Sequence, residues 1–147
     1  MNDNALIPTA QAIATIAHRG QTDKAGAPYI EHPKRVAALL EQQNSNDIIV
    51  AAGWLHDVVE DSDITLDDLL DAGIPSACVQ TVNLLTRRPD VPYDEYYRAI
   101  SQNGFALRVK VADIRDNTDI RRLAQLDPQM QTRLIAKYAT ALDALGV

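Results

Sequence analysis

The sequence predicts an all-α protein, and three observations carry that prediction. Apolar residues recur at spacings of three and four, and alternating β-branched runs bounded by turn signals are missing. Helix-start residues also stand before the apolar stretches, at Thr9, Pro33, Asn46, Thr65, Pro75 and Asp127. Thr9 as N-cap opens a first helix that carries Ala12, Ile13, Ile16 and Ala17 to about His18, where Gly20 interrupts it. Gln21 to His32, with Gly26 and Pro28, reads as a loop. Pro33 suits a first helical position, which leaves His32 beside a helix start, and Val36, Ala37, Leu39 and Leu40 form a buried stripe ending near Gln43.

Asn46 or Asp47 caps a third helix that runs through Ile48 and Trp54 to Val59, apolar on nearly every side until Asp57 and therefore central. Thr65 with Asp68 resembles a capping box for a short helix to Ala72, stopped by Gly73. Pro75 at a first position begins a helix to Thr86, and Tyr93 to Gln102 and Phe105 to Asp116 form two more. The last follows Asp127-Pro128 and carries Leu134, Ile135, Tyr138, Leu142 and Leu145. Seven to nine helices are expected, in one domain over residues 1–147.

Charge and composition narrow the function. Fourteen Lys and Arg against 20 Asp and Glu leave a net charge of −6, which argues against a protein built to grip nucleic acid or an anionic membrane. With 46% hydrophobic and 23% charged residues the chain can bury a core. The single cysteine, Cys78, forms no internal disulfide and reads as a buried structural thiol. Met1 to Pro8 lacks the basic and apolar runs of a secretory signal, and no stretch has the apolar length of a membrane span. A cytoplasmic protein is expected.

Ionisable groups interrupt the most apolar helix at His56, Asp57, Glu60 and Asp61. Residues four apart share a helical line, so these four occupy one face; carboxylates at a helix C-terminus sit poorly with its dipole, which weakens the reading as a plain acidic end. An imidazole beside a carboxylate can bind a divalent metal, and His32 and Asp113 are candidates to complete a mixed nitrogen and oxygen site. Asp113 stands in the apolar run Val109-Lys-Val-Ala112, where an unpaired carboxylate is costly, and Asn117 shares its face. Taken singly, His32 is equally an N-cap or core histidine, and Asp113 a partner for Arg108, Lys110 or Arg115. Arg87 and Arg88 with Tyr93, Tyr96 and Tyr97 offer contacts to phosphates or a base, since arginine forks suit phosphate, but are read in preference as a surface loop and helix; Arg121 and Arg122 are read as solvated, and His18 as core or as support to the site.

Four blocks carry a family resemblance: His18-Arg-Gly-Gln21, Lys24-Ala-Gly-Ala-Pro-Tyr-Ile-Glu-His32-Pro-Lys-Arg-Val-Ala37, Leu55-His-Asp-Val-Val-Glu-Asp61 with Thr65, and Val109-Lys-Val-Ala-Asp113 with Asn117. The order His32, His56-Asp57, Asp113 resembles the signature of HD metal-dependent phosphohydrolases, and within them the hydrolase domain of RelA/SpoT enzymes and small alarmone hydrolases. That resemblance implies an HD-domain helical bundle in which His32, His56, Asp57 and Asp113 hold one divalent ion, usually Mn²⁺. It also implies that Glu60 and Asp61 position and activate water, and that Lys24 and Asn117 meet the substrate. Tyr138 lies about where such enzymes place an aromatic near the base, and its spacing fits plain core equally well. The implied partner is a small phosphorylated nucleotide, with a homo-oligomer left open.

Two departures mark this chain. Asp23 stands where the family usually has arginine, and Ile114-Arg-Asp-Asn117 replaces the usual Arg-Leu-His-Asn. The implied reaction is release of the 3′-pyrophosphate of a guanosine polyphosphate. The alternatives are an HD phosphatase for a nucleoside monophosphate or dinucleotide phosphate, and a nucleotide-sensing module without turnover.

Overall fold

The structure is a computed structural model that describes residues 3–147, so Met1 and Asn2 lie outside the described residues. Ten helical segments form among them: α1 (Asp3–Ala17), α2 (Glu31–Gln42), α3 (Asp47–Leu55), α4 (Val58–Asp61), α5 (Leu66–Asp71), α6 (Ser76–Leu85), α7 (Tyr93–Ser101), α8 (Gly104–Asn117), α9 (Ile120–Leu123) and α10 (Pro128–Leu145). No strand forms among the described residues; Thr22 and Pro28 make one isolated antiparallel bridge. None of the described helices is long and apolar enough to cross a membrane.

The helix predicted to be central is central. From Ile49 to Leu55 every residue of α3 is buried, and α1, α2, α6 and α8 pack around it. Asn46 caps it by accepting the Ile49 N–H at 3.0 Å. Gly53 sets the approach of α2, because a Cβ built there falls 2.8 Å from Leu40 Cδ1 and 3.4 Å from Ala37 Cα. Side chains of α1 to α3, α6 and α8 join one core with Ile100, Tyr96 and Tyr97 of α7 and Ala141 and Leu145 of α10.

Several boundaries differ from expectation, each for a physical reason. The helix α1 is under way by Asp3 and continues through Pro8, whereas Thr9 was expected to cap it. Leu6, Ala10 and Ala14 lie four apart and are buried against the bundle, and that burial outweighs one missing N–H. Pro33 is the third residue of α2, and Pro75 is the N-cap of α6. The single helix expected from Ile48 to Val59 is broken after Leu55, and the chain resumes as the one-turn α4. Asp57 at the break has φ −105° and ψ −2°, which re-aims the residues on either side. The segment α9 was not anticipated; its cap is Asp119, which accepts the Arg121 N–H at 2.9 Å. The Thr65 capping box is present, with Asp68 N–H donating to Thr65 Oγ1 at 3.1 Å and Thr65 N–H to Asp68 Oδ2 at 2.9 Å.

Candidate metal centre and cleft

Three elements deliver four ligating side chains to one point. His32 comes from the first turn of α2, His56 and Asp57 from the break after α3, and Asp113 from the third turn of α8. One ligand atom from each lies within 4.8 Å of the other three. His32 Nε2 is 2.8 Å from Asp113 Oδ1 and 3.8 Å from Asp57 Oδ2, and His56 Nε2 is 3.1 Å from Asp57 Oδ2 and 3.4 Å from Asp113 Oδ1. Ligands at about 2.0–2.2 Å from a shared ion are separated by distances of this order.

The protons on the imidazoles are fixed from behind. His56 Nδ1 faces the Gly53 carbonyl at 2.7 Å, and His32 Nδ1 faces Asp116 Oδ2 at 2.6 Å. A carbonyl and a carboxylate only accept, so both Nδ1 atoms carry hydrogen and donate. In the neutral ring each Nε2 then presents a lone pair to the carboxylates. Nε2 of His56 is buried without a hydrogen-bond partner. Two lone-pair nitrogens and two carboxylate oxygens converging in the interior form a donor set that fits a divalent cation.

The surrounding groups hold the carboxylates in place. Tyr29 Oη donates to Asp57 Oδ2 at 2.5 Å, Lys110 Nζ to Asp113 Oδ2 at 3.1 Å, and Asn117 Nδ2 to Asp113 Oδ1 at 3.2 Å. Burial disfavours charge on Asp113, yet the Lys110 ammonium beside it overrules that and holds its carboxyl well below the usual range. Burial and the neighbouring Asp57 push the Tyr29 phenol far above its ordinary value, so it stays a donor. The salt bridge weighed for Asp113 is present, from Lys110 to Oδ2, while Oδ1 faces the two histidines.

Asp116 is the residue that sequence reasoning missed. It is 5% exposed and accepts from His32 Nδ1, from Arg35 Nε at 2.8 Å and from Arg122 Nη1 at 2.7 Å. The signal available was the spacing Asp113-x-x-Asp116, three apart on one helix face, since Asp116 itself is flanked by the polar Arg115 and Asn117. Arg122, expected to be solvated, is pinned between Asp116, Asn117 and Asp23, whereas Arg121 is 92% exposed as expected. His18 is buried, with Nδ1 2.8 Å from Gln21 Oε1 and its ring 5.0 Å from that of Tyr29, so it supports the site from behind.

The cluster opens into a cavity of about 270 Å³, lined also by Glu60, Asp61, Lys24, Asn117 and Tyr138. Glu60 Oε1 accepts the Arg87 N–H at 2.6 Å. Burial raises the Glu60 carboxyl, and burial with the charges of Asp57 and Glu60 pushes Asp61 up to about 6. Lys24, Tyr29, Asn117 and Tyr138 also line a second cavity, of about 220 Å³, whose far wall holds Leu123, Leu126 and Leu134. The residues that the resemblance put forward for the site, His32, His56, Asp57, Asp113, Glu60, Asp61, Lys24, Asn117 and Tyr138, therefore lie at the cluster or on this cleft. Arg87, Tyr93, Tyr96 and Tyr97 are on its wall as well, which corrects their reading as plain surface; Arg88 remains exposed.

Comparison with known proteins bears on this geometry. Residues 10–89 match the model of a family described as HD domain. The chain belongs to that family. The matched stretch holds His32, His56, Asp57, Glu60 and Asp61, and the HD fold brings Asp113 to them from beyond it. A probable guanosine-3′,5′-bis(diphosphate) 3′-pyrophosphohydrolase of Synechocystis is 30% identical over 97% of this chain and 20% of its own length. The guanosine-3′,5′-bis(diphosphate) 3′-pyrophosphohydrolase of Vibrio cholerae is 30% identical over 92% of this chain and 21% of its own. This HD chain thus spans about a fifth of the length of these curated relatives. A solved structure described as a metazoan ortholog of SpoT that hydrolyses ppGpp superposes with a TM-score of 0.76, at 24% identity, over 96% of this chain and 85% of that one.

Proposed function

We propose that this HD domain is a metal-dependent phosphohydrolase that removes the 3′-diphosphate of guanosine 3′,5′-bis(diphosphate) or a closely similar nucleotide. The observation that carries the reading is the placement of Glu60 and Asp61 on the wall of the cavity that His56, Asp57 and Asp113 also line, with His32 behind them 2.8 Å from Asp113. The names of the pyrophosphohydrolase relatives support the substrate. We take residues 1–147 as one such domain, with Mn²⁺ as the ion and the cytoplasm as its setting. The net charge of −6 supports a free nucleotide over a nucleic acid.

His32, His56, Asp57 and Asp113 would hold the ion, which when bound supplies a Lewis acid for a phosphoryl oxygen and lowers the pKa of water. The remaining steps belong to the protein. The leucine-lined cavity with Tyr138 takes the nucleoside, and Lys24 and Asn117, shared by both cavities, meet the phosphates at the junction. The oxygen of a water held by Glu60 and Asp61 bonds to the inner phosphorus of the 3′-diphosphate. The bond from that phosphorus to the ribose oxygen breaks, a carboxylate takes the water proton, and the ribose oxygen is protonated as pyrophosphate leaves. With its carboxyl near 6, Asp61 is suited to accept that proton near neutral pH.

A second reading, a phosphatase for another nucleotide, is favoured by Asp23. Its Oδ1 accepts the N–H groups of Ala25 and Ala27, both at 2.9 Å, and its Oδ2 lies 3.7 Å from Arg122, so the side chain holds the loop together. The test is hydrolysis of ppGpp, a nucleoside monophosphate and a dinucleotide phosphate by metal-stripped protein with and without Mn²⁺, assaying pyrophosphate and orthophosphate separately. Metal-dependent pyrophosphate release from ppGpp is expected. His56→Ala loses metal and turnover, and Glu60→Ala keeps metal and loses rate; unchanged turnover in both variants refutes the mechanism.

A further inference from the structure

Arg87 has an unspent donor in the wall of the metal cavity. Its main-chain N–H is taken by Glu60, one guanidinium nitrogen donates to the Arg88 carbonyl, and Nε is buried without a partner. Among the described residues no carboxylate lies within ion-pair distance of its guanidinium. The guanidinium is nonetheless held in position, 4.1 Å above the centre of the Tyr93 ring. A fixed cation with an orphaned buried donor, facing a cavity, needs an anionic acceptor from outside the chain.

The neighbouring cation indicates what kind of anion. Lys110 Nζ lies 5.6 Å from the centre of the Tyr96 ring and Arg87 lies 5.8 Å from the same centre, so the two positive groups flank one aromatic ring. Lys110 is already bonded to Asp113, next to the metal ligands, and Arg87 stands farther out with its charge uncompensated. Positive charge therefore runs outward from the metal centre along one wall. A single phosphoryl group at the centre has no need of the outer cation, whereas a diphosphate extends toward it. Arginine also suits this task, since its planar fork matches phosphate oxygens.

We propose that Arg87 receives the outer phosphate of a diphosphate group whose inner phosphate sits at the metal centre, and so selects for a pyrophosphoryl over a monophosphoryl substrate. The assignment rests on the reading of this cavity as the phosphoryl-transfer site. It is distinct from the role of the Arg87 main chain, whose N–H still reaches Glu60 when the side chain is replaced by alanine or lysine.

The experiment is a calorimetric titration with inorganic pyrophosphate, and in parallel with orthophosphate, of protein held at one fixed free Mn²⁺ concentration. Chelation is then the same for every variant, and differences report the protein. The wild-type protein is expected to prefer pyrophosphate by about tenfold to a hundredfold, the worth of one charge-assisted contact. Arg87→Ala is expected to abolish the preference while leaving orthophosphate binding in place, and Arg87→Lys to retain part of it. Equal pyrophosphate affinity in wild type and Arg87→Ala, or no preference in the wild type, overturns the assignment whatever the nucleotide results. Arg87-dependent pyrophosphate binding in a protein that does not cleave ppGpp upholds the assignment and removes the alarmone substrate.

Discussion

Removing the Asp116 carboxylate should damage both the fold and the metal centre. The side chain is buried and accepts three charge-assisted hydrogen bonds, from His32, Arg35 and Arg122, at 2.6, 2.8 and 2.7 Å. Asp116→Ala leaves an imidazole N–H and two guanidinium donors unanswered. Arg35 is 38% exposed and Arg122 24%, so water recovers part of what they lose, while His32 at 2% recovers nothing. Breaking a buried charged pair from one side costs about 3–5 kcal/mol, and the lower end applies here because two partners reach solvent. The second effect is on His32. Once its Nδ1 is released, the ring is free to rotate or change tautomer, and losing an outer partner of this kind weakens metal binding about 10–100-fold.

Urea unfolding of metal-free protein measures the first effect, and competition with a chelating dye the second. Asp116→Asn separates them. The amide keeps the shape and an oxygen for His32, but turns an N–H₂ toward an arginine, so stability falls while metal affinity is partly kept. An Asp116→Ala protein that unfolds within about 1 kcal/mol of the wild type and binds Mn²⁺ as tightly would refute the role assigned to this carboxylate.

Three further outcomes are expected. Gly53→Ala forces a methyl to within 2.8 Å of Leu40 Cδ1, in a fully buried seam, and should cost about 1–3 kcal/mol in urea unfolding; a variant as stable as the wild type would show that α2 and α3 can separate freely. Cys78 is 0% exposed and burial pushes its thiol up to about 12, so a thiol reagent at neutral pH should label it only as fast as the protein unfolds. Fast labelling of native protein would contradict that burial. Asp61, raised to about 6, must be ionised to take a proton from water, so turnover should be full above that pH and decline below it. Asp61→Asn should be slow and lack this acid limb, and an unchanged pH profile in that variant would assign the proton to another group.

The sequence by itself determined the helical class, because the period of its apolar residues is a local property that packing reinforces. Three of the helix caps are likewise local: Asn46, Thr65 and Asp127 accept N–H groups of their own helices. The convergence of His32, His56, Asp57 and Asp113 was also legible, since ionisable residues in apolar stretches are costly unless they meet one another. Tertiary structure decided whatever depends on residues distant in the chain. The break at His56-Asp57 follows from the demand that both side chains turn toward Asp113 and His32, which no local propensity encodes. Pro8 sits inside α1 because burial of Leu6, Ala10 and Ala14 exceeds its local cost. Asp116 and Arg122 are ordinary surface charges in sequence, and only the packing of α8 on α2 gives Asp116 His32 as a neighbour, with Arg122 bonded to the same carboxylate. Arg87 reads as loop surface until the cleft closes around it, because exposure is decided by which elements pack together, and a one-dimensional pattern does not contain that information.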